Sequence, residues 1–198
     1  AAEAPVAVAT ERVIGAERVI GYRYWHFGPR CADNPQSPLV LISPHQTTFW
    51  DSGELTATEG PFDSALAPPT AENGVGIYAW KWPVTGDAYG EAPGLVVGAV
   101  ELSGRVFEHA DGRLRGQHAR VLALRVVRNP YTNEVSTDEQ VTFSLCSAGL
   151  IGCLYGQAEG LLYLRSVTDA EVERRLLEYY EVPRLEEEPP CMEVLESS

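Results

Sequence analysis

Lysine is almost missing from this 198-residue chain: Lys81 is the sole lysine among 15 basic residues, and the other 14 are arginine. Arg, Ala, Gly, Val and Pro share GC-rich codons, so this bias points to a high-GC bacterium or its phage as the source before it points to any ligand. The four cysteines, Cys31, Cys146, Cys153 and Cys191, contain no CxxC pair. That spacing argues against a zinc site and against a thioredoxin-like redox site. Free thiols in a cytoplasmic protein fit it better than a disulfide framework, which a chain of this length does not need. No stretch approaches the roughly 20 consecutive apolar residues that cross a bilayer. The opening AAEAPVAVAT has no basic segment and contains Glu3, so it does not read as a signal peptide and is taken as an extension over 1–10. The catalytic signatures GxSxG, GxxxxGK[ST] and GxGxxG are all absent, which removes the nucleophile-elbow and phosphate-cradle readings.

Hydrophobic and charged fractions of 44% and 22% are those of a chain that folds around a core, and the length suits one domain. The net charge of -13 disfavours free nucleic acid as a partner, because affinity for phosphates rests on cationic contacts and counterion release. The charge is also unevenly spread. From Ser166 onward ten acids face three arginines, whereas Arg105 to Arg128 carries six arginines against Glu108 and Asp111.

Hydrophobic periodicity and turn residues outline the elements. Residues 21–27 read as a strand with Tyr22, Tyr24 and His26 on one face and Arg23, Trp25 and Phe27 on the other. PLVLIS at 38–43 reads as a short buried strand. The Pro, Thr, Ser, Gly and acid content of 44–74 predicts a long loop. GVGIYAWKW at 74–82 is a strand in which Val75, Ile77, Ala79 and Lys81 alternate with Gly76, Tyr78, Trp80 and Trp82. Residues 95–109 form one long strand or two bent at Gly104. Asp111-Gly112 is a hairpin signal that returns the chain into a strand over 118–127. Strict alternation there puts Arg120 and Arg125 on opposite faces, which would break up an arginine groove. The run 141–156 is ambiguous between strand and buried helix, and 161–166 is a strand candidate. Thr168 and Glu171 make a capping box for a helix to about Glu181, with Val172, Leu176, Tyr179 and Tyr180 inward, Glu173 and Arg174 outward, and Pro183 as the stop.

These patterns predict an α+β, β-rich fold: a mainly antiparallel sheet with one C-terminal helix and an acidic tail. The domain covers 11–183, with its long loop at 44–74, and the tail is 184–198.

Candidate chemistry is sparse. Glu108, His109, Asp111 and His118 flank the hairpin turn, where an acid, a base or a metal ligand set would find the right residue types. Ordinary cross-strand ion pairs are the competing account of the same residues. Cys31 with His26 or His45 supplies a thiol and an imidazole but no fixed separation. No metal site and no cofactor is assigned. Phe49, Trp50 and Phe62 are the apolar anchors of the long loop and candidate contact residues, since loop aromatics make good anchors. Arg113, Arg115 and Arg120 are candidates to clasp the acidic residues Glu186, Glu187 and Glu188, in the same molecule or a neighbour.

GYRYWHFG at 21–28, GIYAWK at 76–81 and VVGAVELSGRVFEHADGRLR at 96–115 together resemble a family of uncharacterised proteins from actinobacteria and their phages. The resemblance spans about residues 20 to 127. It implies no activity, because that family has none assigned. Members carry cysteines and a histidine just before GIYA, where this chain has APPTAENGV, so no metal role is carried over. The expected function is a non-enzymatic protein-interaction or assembly role, with a protein partner or self-assembly, in a host cytoplasm or a virion. The alternatives are an enzyme or metal-binding protein built on the four-residue cluster, and an acidic mimic of nucleic acid that occupies a host protein.

Overall fold

The computed structural model describes residues 12–14, 18–31, 34, 36–43, 48–57, 75–83, 96–127 and 167–186. Its centre is a hairpin of two long strands, β7 (Val96–Glu108) and β8 (Arg113–Val126). The turn is fixed by the backbone. Gly112 takes φ +82°, a left-handed value that Cβ-bearing residues resist, and its N–H donates to the His109 carbonyl while His109 N–H donates to Arg113 O. The returning strand begins at Arg113, five residues before the patterned run at 118, because Arg113 pairs with Trp80 and Leu114–Gly116 pair with neighbours on both sides.

The hairpin is bent in two places. The register slips between Ser103 and Val106, around Gly104, and again between Ala99 and Val100, where Leu122 is the extra residue on β8. The second bulge has a consequence for the arginines. Without it, Arg120 and Arg125 would face apart. With it, Arg120 pairs with Glu101 and Arg125 with Val97, both odd-numbered positions of β7, so the two arginines share the outer face.

Around this hairpin run β1 (Arg12–Ile14), β2 (Val19–Pro29) and β6 (Ile77–Trp80). β1 pairs with residues 106–108 and β2 with residues 96–102 of β7, along the same edge. β6 pairs with residues 113–116 of β8 and touches β2 through the Tyr22–Trp80 pair. The neighbours β2, β7, β8 and β6 thus return to β2, and all these pairings are antiparallel. Inside lie Trp25, Ile77, Ala79, Val100, Leu102, Val106, Leu114, Ala119, Val121 and Leu124, all buried. Trp25 and Phe27, which alternation puts on one face of β2, are buried, so that face is the inward one.

β2 outruns β7, and its end, His26–Pro29, pairs with β3 (Leu39–Ile42), which pairs with β4 (Phe49–Trp50). β5 (Glu54–Thr56) adds to β8 at residues 118–120. The stretch 48–57 is therefore not loop, as its composition predicts. Two strands of two and three residues are too short to show a period, and pairing with β3 and β8 forms them.

Helix α1 (Asp169–Tyr180) closes the core against β8 and β3. Thr168 Oγ1 accepts the Glu171 N–H, one half of the capping box, while the Glu171 carboxylate turns to Arg174 rather than back to the cap. Val172, Leu176 and Tyr180 are buried. Tyr179 is 39% exposed, with its hydroxyl on Asp51 O. Glu173 does not face solvent. Its two oxygens accept from Val126 N–H at 2.8 Å and Arg184 Nε at 2.6 Å. After the αL cap at Glu181 the chain docks beside β8, with Leu124 N–H on Pro183 O and Leu185 N–H on Leu124 O. Arg184 and Leu185, read from sequence as the start of the tail, thus lie alongside β8. No helix among the described residues is long and apolar enough to cross a membrane.

Candidate interaction surface

β6 exists because Ile77 and Ala79 can enter the core between β2 and β8, and this turns Tyr78 and Trp80 outward. Tyr78 is 41% exposed and Trp80 37% exposed. Trp82, just past the strand, is 58% exposed and lies against Gly112, where no side chain could be accommodated beneath its ring. Across the strand pair from Trp80 stand Tyr22 on one side and Arg113 on the other. Ile20, on the same outward face of β2 as Tyr22, is 56% exposed. The outer side of β2 and β6 is thus an aromatic surface that runs to the hairpin end.

Three of the four residues considered for acid–base or metal chemistry rim this surface. Glu108 accepts from Lys81 Nζ at 2.7 Å. The His109 ring stacks on Tyr78 at 6.5 Å and 20°. Asp111 accepts from the Arg113 backbone N–H at 3.1 Å and from its Nε at 2.7 Å. The backbone donor first, and then the guanidinium, hold the Asp111 carboxyl below its ordinary range, so it stands ready as an acceptor and not as an acid. His118 is elsewhere. It lies five residues past Arg113, roughly 16 Å along the strand, with Nδ1 3.1 Å from Thr56 Oγ1. Among the described residues no group of three or more His, Cys, Asp or Glu is placed to hold a metal ion.

No protein-family model, curated protein or solved structure matches the chain. The surface has to be read from its own chemistry.

The residues expected to make contacts divide sharply. Trp50 is completely buried, packed edge-to-face on Trp25 at 5.5 Å and 87°, so it anchors the core and not a partner. Phe49 is half-buried beneath the Arg30 guanidinium, 4.5 Å from its ring centroid. Arg115 is 2% exposed, stacked over Phe107 at 5.0 Å and donating to Val75 O at 3.3 Å, which withdraws it from any surface role. Arg120 is exposed but spends its charge on Glu101 at 3.3 Å. Of the two that flank the aromatic face, Arg113 opposite Trp80 and Arg115 opposite Tyr78, Arg113 is the exposed one. Glu186 is exposed. Phe62, Glu187 and Glu188 lie outside the described residues, as do His45, Cys146, Cys153, Cys191 and the candidate elements at 141–156 and 161–166. Cys31 is an exposed free thiol.

The aromatic face itself was open to discovery from the sequence. Period-2 alternation puts Tyr78, Trp80 and Trp82 on one side of their strand, and nothing apolar in the pattern competes for that side. What the pattern does not carry is the closure of β6 onto β2 and β8, which brings Tyr22 and Arg113 alongside.

Proposed function

We propose that this chain is a non-enzymatic protein-interaction module that docks a protein partner, another molecule or a second copy of itself, through the outer aromatic face of β2 and β6. The observation that carries this is the joint exposure of Tyr78 and Trp80 on β6 and Trp82 just past it, with Arg113 at their edge. Trp, Tyr and Arg are the residue types that dominate interface energetics, and a polar rim around an apolar centre is the usual anatomy of such a patch. Lys81, Glu108, His109, Asp111 and Arg113 provide that rim. Nucleic acid is the poorer fit. The net charge is -13, and Arg113, Arg115 and Arg120 are each engaged in contacts within the chain.

The test is a comparison of the wild-type protein with a Trp80→Ser/Trp82→Ser variant. Light scattering across a concentration series reads self-association, and affinity capture from the source cell reads a foreign partner. Replacing the two indoles should weaken the contact by about 2 kcal/mol or more, roughly thirtyfold in affinity, with the unfolding transition barely moved. A double variant that associates as the wild type does would overturn the assignment.

A further inference from the structure

Arg23 lies on the inward face of β2, behind the aromatic surface, and its surroundings are unusual for a cation. Its guanidinium lies against two indoles that meet edge-to-face, 5.1 Å from the Trp25 centroid and 5.0 Å from that of Trp50. The π faces of such rings attract a cation but accept no conventional hydrogen bond from its N–H groups. Nη2 donates to Ser43 Oγ at a long 3.4 Å, and that oxygen already accepts from Trp50 Nε1 at 3.0 Å. Arg23 Nε is buried with no acceptor, and so is the neighbouring Trp25 Nε1. Among the described residues no carboxylate pairs with Arg23, in a chain of 28 acids where Arg18, Arg30, Arg113, Arg120, Arg174 and Arg184 each have one.

The cluster is therefore rich in donors and short of acceptors. A guanidinium and two indoles have only N–H groups to offer, and one serine oxygen serves two of them. Because Ser43 Oγ accepts from both sides, its own O–H is left to donate. Burial pushes the Arg23 pKa down to about 10, against the pull of the Tyr24 charge, which still leaves the guanidinium protonated at neutral pH. A half-buried charge and buried donors without acceptors cost free energy that a negatively charged oxygen would recover.

We propose that Arg23, Trp25, Ser43 and Trp50 form a binding site for a small oxyanion, a carboxylate or phosphate-type group. The anion's oxygens would accept from the Arg23 guanidinium, the Trp25 indole N–H and the Ser43 hydroxyl, with the Trp25 and Trp50 rings packed against the guanidinium. The fork of the guanidinium suits two oxygens of one anion.

The chain has four tryptophans, so a Trp80→Ser/Trp82→Ser background leaves Trp25 and Trp50 as its only indole reporters. In that background, emission is titrated with inorganic phosphate and, separately, with acetate, at an ionic strength held constant with chloride. The expected result is a saturable change in at least one arm, at millimolar concentration or below, and a rise in the unfolding temperature with the same anion. The tighter arm assigns the group as phosphate-type or carboxylate. Arg23→Gln should weaken binding at least tenfold, and Ser43→Ala, which leaves the charge in place, should weaken it by a smaller factor. Failure of both anions to give a saturable change beyond chloride overturns the proposal whether or not the Arg23 variant folds, and so does unchanged binding by a folded Arg23→Gln protein. Because the site uses none of the outer aromatics, its failure and the failure of partner docking are separate results.

Discussion

Tyr180 joins the C-terminal helix to two strands through one hydroxyl. It donates to Trp50 O at 2.6 Å and accepts from Leu41 N–H at 2.8 Å, so β3 and β4 are both tied to α1 at the same atom. Tyr180→Phe leaves a buried carbonyl and a buried N–H without their partner, which should cost about 2 kcal/mol in urea unfolding near neutral pH. Burial also holds the hydroxyl above the ordinary tyrosine value of 10.0, with the Leu41 donor pulling the other way. The unfolded chain gives up this proton at lower pH than the folded one. The stabilisation is thus whole below about pH 10 and shrinks as pH rises beyond it. The gap in unfolding free energy between wild type and Tyr180→Phe should hold from about pH 8 to about pH 10 and narrow from there to about pH 11, and a gap that widened would reverse the assignment. Residue identity was legible here and residue role was not. The helical stripe names Tyr180 as inward, but the strands it binds lie about 130 positions away in sequence. Trp50 shows the same limit from the other side, since a tryptophan among polar residues looks like a surface anchor until β3 and α1 cover it.

At the scale of elements, the hairpin of β7 and β8 was readable because its signals are local: an Asp-Gly turn, alternating apolar residues and a glycine at the bend. The bulge at Leu122 was not. Its register slip is set by how β8 pairs with β7, and one extra residue reverses the facing of everything after it, which is why Arg120 and Arg125 share a face that strict alternation denies them. Helix α1 was readable for the same local reasons, apart from Tyr179, which is exposed, and Glu173. A glutamate beside an arginine on a helix reads as solvated, yet this one accepts from the Val126 backbone and clamps Arg184. Glu173→Ala should cost about 1 to 3 kcal/mol by stranding the Val126 N–H. Its signature is local. Native-state hydrogen exchange should speed up at Val126 and at Leu185, whose N–H donates to Leu124, more than at the β7 amides bonded to β8. Equal loss of protection at all of these amides would mean that Glu173 acts through global stability and not as a clamp.

For the molecule as a whole, the fold class followed from summed local patterns, but its closure did not. Among the described residues the sheet returns to β2 through the pair Tyr22–Trp80, and a helix from the other end of the chain packs on β8 and β3. No window of sequence contains both. This architecture makes a strong claim about cooperativity. Val172, Leu176 and Tyr180 belong to the same buried cluster as Trp25, Trp50 and Leu124, so the core is incomplete without the C-terminal segment. Each large apolar side chain removed from a core costs about 2 to 5 kcal/mol, against a total stability of about 5 to 15 kcal/mol for a domain. A chain ending at Ser166 should accordingly lose its cooperative unfolding transition and its near-ultraviolet dichroism, with Trp25 and Trp50 emission shifted to the wavelength of solvated indole. In the full chain, tryptophan emission and far-ultraviolet dichroism should report one coincident transition. If the truncated chain melted cooperatively at an unchanged temperature, the β strands would hold a complete core by themselves and α1 would be an accessory laid on its surface. The full burial of Val172 and Leu176 argues for the first outcome.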